Sequence, residues 1–175
     1  TPEATAERTA IAVELGFRGV KMKCALGDPI AERVRAVRQV APRFSVVLDP
    51  NERFESLDGA VQVSRSLEGL EDVLFESPMP QKDLDGYVEL RRRIPQRVAL
   101  HLTSIHDLLP ALHAGAADGY NLLGPLKPFV DWATLARQAG CPTWRGTGMD
   151  LGVRDMSSVH AAAAAGCGLP RDIIG

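Results

Sequence analysis

The chain has 175 residues, 45% hydrophobic and 24% charged, an ordinary globular composition. Twenty Lys and Arg against 22 Asp and Glu leave a formal charge of −2, without the basic excess of an electrostatic nucleic-acid binder. No apolar run approaches the roughly 20 residues of a membrane span, and the opening Thr1-Pro2-Glu3-Ala4 lacks the basic-then-apolar pattern of a secretory signal.

In chain order, a helix is predicted over about Pro2 to Leu15. A strand follows at Phe17 to Lys23. Asp28-Pro29 then opens a helix, with Asp28 as N-cap and Pro29 at the first helical position. Ile30, Val34, Val37 and Ala41 fall on one apolar face of it, and Pro42 ends it. The next strand is Phe44 to Leu48, stopping at Asp49-Pro50-Asn51. A helix is predicted over about Ser56 to Leu67, a strand at Val73 to Phe75 and a helix at Asp83 to Ile94. Then come a strand at Val98 to Leu102, a helix at Ile105 to Ala116, a strand at Gly119 to Leu123 and a helix at Phe129 to Ala139. A short strand at Pro142 to Arg145 and an Ala-rich helix at Arg154 to Ala165 complete the series.

Strand–helix alternation of this kind means parallel pairing with crossover helices. The expected strand ends at Lys23, Asp49, Glu76 and Thr103 fall 26 or 27 residues apart, one βα unit per step. A regular βα series closes as a doubly wound sheet or as a barrel, and a full (β/α)₈ barrel needs about 250 residues. The fold class read here is α/β: a partial parallel TIM-type (β/α)₈ barrel of about six βα units, in a single domain over 1–175. The outer strands are not in this sequence. Cys24, Cys141 and Cys167 are scattered and odd in number, so they form neither a disulfide framework nor a CxxC site, which suits a reducing cytoplasm.

Polar residues stand where the apolar strands end, the place where parallel βα folds gather their chemistry. Lys21 and Lys23 are two apart, so strand periodicity sends both to one face. Two neighbouring ammonium groups repel, and partial burial acts the same way, so a lysine there is a usable base. A pair of surface lysines on an edge strand is the plain alternative. Asp49 and Asn51 end the next strand and Glu76 the one after. Their hard oxygens suit Mg²⁺, and a carboxylate following an apolar run is costly to bury without a partner. A simple turn at Asp49-Pro50-Asn51, or a helix-capping Glu76, would explain each acid alone.

Gly16-Phe17-Arg18-Gly19-Val20-Lys21-Met22-Lys23, Val47-Leu48-Asp49-Pro50-Asn51 and Leu74-Phe75-Glu76-Ser77-Pro78-Met79-Pro80 together resemble the barrel domain of the enolase superfamily, in its mandelate racemase/muconate lactonising branch. Gly115-Ala116-Ala117-Asp118 and Gly146-Thr147-Gly148-Met149-Asp150 continue the likeness more weakly. The resemblance implies a base that removes a proton alpha to a carboxylate, with Mg²⁺ (Mn²⁺ the alternative ion) stabilising the enediolate. Carried over, Lys23 is the base and Lys21 the neighbour that lowers its pKa. Asp49 and Glu76 are metal ligands, and Asn51 lies near the metal or the substrate carboxylate. The family also carries a capping domain, not in this sequence, that closes the site and sets specificity.

The departures bear on the reaction. Alignment on Ser104 puts Thr103 where the family has its third acidic ligand; His101 shares its strand parity and is a candidate replacement ligand or an acid or base, or else an interior barrel histidine. Leu123 stands near the place of the second lysine of the muconate-type branch, and Lys127 comes late. No His near Pro142-Thr143-Trp144-Arg145 supplies the mandelate-type pair. Arg145 and Asp150 are candidate substrate contacts. His106 and His113, seven apart on one helix, and His160 read as solvated or packing residues; Met22 and Met79 read as gap-fillers.

The expected function is Mg²⁺-dependent proton abstraction from a small-molecule carboxylic acid, an acid sugar or hydroxy acid. Dehydration, cycloisomerisation or epimerisation would follow, and a one-base reaction such as syn elimination of water needs only Lys23 and the metal. A lyase or isomerase of this kind would be cytoplasmic and, by family analogy, a symmetric homo-oligomer without nucleic-acid or membrane partners. The alternative is a non-catalytic or metal-free relative with a structural or binding role. A doubly wound nucleotide-binding domain ranks last, for want of a GxGxxG or P-loop sequence.

Overall fold

The computed structural model describes residues 1–146 and 152–167. The chain divides into two compact units, Thr1–Arg97 and Val98–Gly175, where the sequence reads as one domain. No helix among the described residues is long and apolar enough to cross a membrane.

In the first unit, α1 (Pro2–Glu14) leads into β1 (Gly19–Lys23), α2 (Ile30–Val40), β2 (Ser45–Asp49), α3 (Leu57–Ser66), β3 (Val73–Glu76) and α4 (Leu84–Arg93). Helix starts follow local chemistry. Thr1 caps α1 through Ala4 N, Ser56 caps α3 through Gly59 N, and Asp83 caps α4 through Gly86 N, each satisfying a donor the helix itself cannot. The start of α2 differs from expectation. Pro29 takes the cap position with no side-chain bond, and the Asp28 carboxylate instead accepts from Ala25 N at 2.9 Å. The apolar face is as predicted: Ile30, Val34, Val37 and Ala41 are all buried.

Strands β1, β2 and β3 pair in parallel in that order. Lys21 lies level with Val47, Lys23 with Asp49, and Leu48 with Phe75. One residue further along, Asp49 and Glu76 come level. The start of β1 needs glycine: a Cβ on Gly19 would stand 2.8 Å from Ser45 O. β3 is buried along its whole length, as a strand covered on both faces must be. Phe54 and Phe75 meet edge to face with centroids 5.8 Å apart, and Met22 and Met79 fill the core as expected.

The second unit repeats the pattern with β4 (Arg97–Leu102, its first residue in the first unit), α5 (Ile105–Ala114), β5 (Gly119–Leu122), α6 (Leu126–Gln138), β6 (Thr143–Arg145) and α7 (Gly152–Ala164). Here β4, β5 and β6 pair in parallel in sequence order. Ser104 caps α5 through His106 N, and Gly115, at φ 64, ends it in the left-handed conformation that glycine takes at no steric cost.

Candidate active site

Three adjacent parallel strands of the first unit end in polar residues that converge. β1 supplies Lys21 and Lys23, β2 supplies Asp49 with Asn51 just beyond, and β3 supplies Glu76. Parallel register brings the ends of β1–β3 level, and period two puts Lys21 and Lys23 on the same side. Lys21 Nζ lies 2.9 Å from Asp49 Oδ2 and 2.8 Å from Glu76 Oε1. Lys23 Nζ lies 2.6 Å from the same Asp49 oxygen and donates at 2.6 Å to Asn51 Oδ1.

Burial grades across this cluster. Asp49 and Glu76 are 1% and 0% exposed, Lys21 is 21% exposed, and Lys23 is 54% exposed at the strand tip. The acids form the floor and Lys23 the accessible edge. Burial pushes the Asp49 carboxyl up, but the hydrogen bonds and charges of Lys23 and Lys21 together outweigh it and hold Asp49 below the usual aspartate value. The sequence predicted two like charges side by side; in the fold both meet the same carboxylate.

Asn51 is held at φ 48, and its backbone N–H donates to Asp49 Oδ1 at 3.1 Å. Asn is the non-glycine residue that tolerates this left-handed conformation best. Sequence reasoning missed the network behind it. Glu52 N donates to Ser77 O at 2.8 Å and Phe54 N to Pro78 O at 3.0 Å. Gln81 donates from both its backbone N and Nε2 to Glu52 Oε1, and Ser77 Oγ donates to Gln81 Oε1 at 3.1 Å. These bonds tie the loop carrying Asp49 and Asn51 to the loop following Glu76. Arg33 braces the other side, donating to Lys23 O at 3.0 Å. The only hint in the sequence was Asn51 itself.

Asp49 and Glu76 both approach one nitrogen, so their oxygens stand under about 6 Å apart. Among the described residues no group of three His, Cys, Asp or Glu could hold a metal ion. Two buried carboxylates nevertheless fit Mg²⁺, a hard cation held by one or two carboxylates with water completing its shell.

The other predicted residues lie in the second unit or outside the described residues. His101 is half-buried on β4, level with the fully buried Asn121 on β5, and Thr103 is exposed just past β4. Arg145 is 3% exposed and serves its own unit. It donates to Ser158 Oγ and to Gly124 O at 2.9 Å each, with its guanidinium 4.8 Å from the Phe129 ring centroid. Lys127 is 88% exposed on α6 and pairs with Asp131. His106, His113 and His160 are exposed. Asp150 and its Thr147-Gly148-Met149 neighbours lie outside the described residues.

The chain is similar to known proteins over most of its length. The family model described as "Enolase C-terminal domain-like" matches residues 4–172, and the chain belongs to that family. It is 26% identical over 162 residues to a hydrophobic dipeptide epimerase of Citrifermentans bemidjiense, covering 87% of this chain. It is 27% identical over 168 residues to an L-Lys-D/L-Arg epimerase of Methylococcus capsulatus, covering 86% of this chain. The chain spans 44% of the length of each of these relatives. A mandelate racemase/muconate lactonizing family protein from Azoarcus sp. EbN1 superposes with a TM-score of 0.83 at 29% identity, over 99% of this chain and 49% of the other.

Proposed function

We propose that this chain carries the proton-abstracting side of an enolase-superfamily site, with Lys23 removing the proton alpha to a substrate carboxylate. One observation carries the reading: two lysines and two buried carboxylates from three successive parallel strands meet in a single cluster. Lys23 is the member suited to reach substrate, because its side chain is the most exposed of the four. Asn51 holds that amine from the side, and Arg33 fixes the backbone beneath it.

Asp49 and Glu76 would hold the divalent cation, Mg²⁺ by the hardness of their oxygens. When bound, the cation supplies charge stabilisation for a deprotonated alpha carbon, which no lysine could generate unaided near neutral pH. In the step itself Lys23 first releases its ammonium proton to solvent; the alpha C–H bond then breaks, its electron pair stays on carbon, and the new N–H bond forms on Lys23 Nζ. Lys21 supplies a second positive charge beside the acids.

The substrate class favoured is an amino-acid-derived carboxylate, because the two relatives are named for a hydrophobic dipeptide and for L-Lys-D/L-Arg. Epimerisation is the outcome their names support. Leu123 stands where the resemblance would place a second lysine, so Lys23 is the one base assigned here: by itself it gives exchange with retention or loss of a leaving group, and epimerisation needs a further proton donor on the opposite face of the alpha carbon. Incubating the protein with Mg²⁺ and a panel of dipeptides and N-acyl amino acids in D₂O tests this by mass spectrometry. The reading expects deuterium at the alpha carbon with the native protein and none with Lys23→Ala. Exchange that persists in Lys23→Ala removes Lys23 as the base, and exchange with inversion calls for a second proton donor.

A further inference from the structure

Lys21 is the lysine of the cluster that bonds to both carboxylates. Its nitrogen stands 2.9 Å from Asp49 Oδ2 and 2.8 Å from Glu76 Oε1. It thus bridges one oxygen of each of the two carboxylates proposed to hold a divalent cation. Those carboxylates are the most buried groups of the cluster, and two ionised acids buried side by side are costly without a positive charge between them. A lysine suits that place: a compact point charge on a flexible stem, able to leave without any change in the backbone. Lys23 cannot substitute for it in the same way, since its amine is divided between Asp49 and Asn51.

We propose that Lys21 is a tethered counter-ion that bridges Asp49 and Glu76 in the metal-free protein and must be displaced for a divalent cation to bind. The inference rests on the proposed reading of Asp49 and Glu76 as cation holders, and it names what regulates that site. The cost is affinity: an entering cation must break two short ion pairs and then tolerate a positive charge close by. Coupling of this kind is reciprocal, so whatever strengthens the grip of Lys21 weakens the cation's.

Calorimetric titration with Mg²⁺ of the native protein, Lys21→Met and Lys21→Gln tests this, together with thermal unfolding of each with and without Mg²⁺. Lys21→Met should bind Mg²⁺ at least about tenfold more tightly than the native protein. Its melting temperature should be lower than native without Mg²⁺ and should gain more when Mg²⁺ is added. Lys21→Gln keeps an amide donor for the acids without the charge, and it serves should Lys21→Met fold only in the presence of Mg²⁺, which is itself the expected direction. Equal Mg²⁺ affinity in the native protein and both variants overturns the counter-ion role while leaving the cation site standing. No binding by any of the three overturns the cation site and the counter-ion role together.

Discussion

Replacing Asp49 by Asn keeps the shape of the side chain and removes the charge that two ammonium groups share. Asp49 is 1% exposed, so the loss falls on a buried group. Stripping one partner from a buried ion pair costs roughly 3–5 kcal/mol at the upper end, because a charge is left uncompensated. Two features reduce that figure here. Lys23 is 54% exposed and recovers its solvation, so its share is worth at most about 1 kcal/mol. Lys21 keeps Glu76 at 2.8 Å. The expected loss at pH 7 is about 2–4 kcal/mol, which lowers the melting temperature by about 5–15 °C for a chain of this size.

The pH dependence has a definite sign. The folded-state pKa of Asp49 lies below its ordinary value, so its contribution to stability is complete above the unfolded pKa. That contribution is lost as pH falls through the folded value. Urea unfolding of the native protein and Asp49→Asn at pH 7, 5 and 3 should give the same gap at the first two and a smaller gap at pH 3. A gap under about 0.5 kcal/mol at pH 7, the size of an ordinary surface substitution, would refute the reasoning. So would a gap as large at pH 3 as at pH 7.

Two further outcomes follow from burial. The Cys24 thiol is 2% exposed and burial pushes its pKa up to about 12, whereas Cys141 and Cys167 are half-buried. A thiolate reagent at pH 8 should therefore label Cys141 and Cys167 in the folded protein and reach Cys24 only after denaturation, as peptide mass spectrometry would report. Arg145→Met removes the hydrogen bonds to Ser158 Oγ and Gly124 O and the Phe129 contact inside the second unit. It should cost about 2–3 kcal/mol in a denaturant melt, while alpha-proton exchange by the folded fraction persists.

Much of this architecture is legible in the sequence for a simple reason. Strand and helix have different hydrophobic periods, and each apolar run here stops at a polar residue, so the order of elements and the strand ends at Lys23, Asp49 and Glu76 follow from pattern alone. The start of α2 was not legible, because two local bonds compete for Asp28 and the Ala25 N–H wins. The pairing of the lysines was half legible. Their spacing gives the shared face, but only the register of β1 on β2 and β2 on β3 brings the acids within reach. The tie between Glu52 and Gln81 joins residues 29 apart with no local signature. Arg145 shares the side of Leu122 rather than that of Asn121 and Trp144, and a strand of three residues is too short for alternation to reveal this in advance.

The proposed chemistry needs Asp49 and Glu76 to form one cation site. Calorimetric titration of the native protein with Mg²⁺, beside Asp49→Ala and Glu76→Ala, measures this directly. A single saturable binding event in the native protein that is lost or greatly weakened in both variants is the predicted result. Binding that survives unchanged in the two variants, or no binding by the native protein, would contradict it.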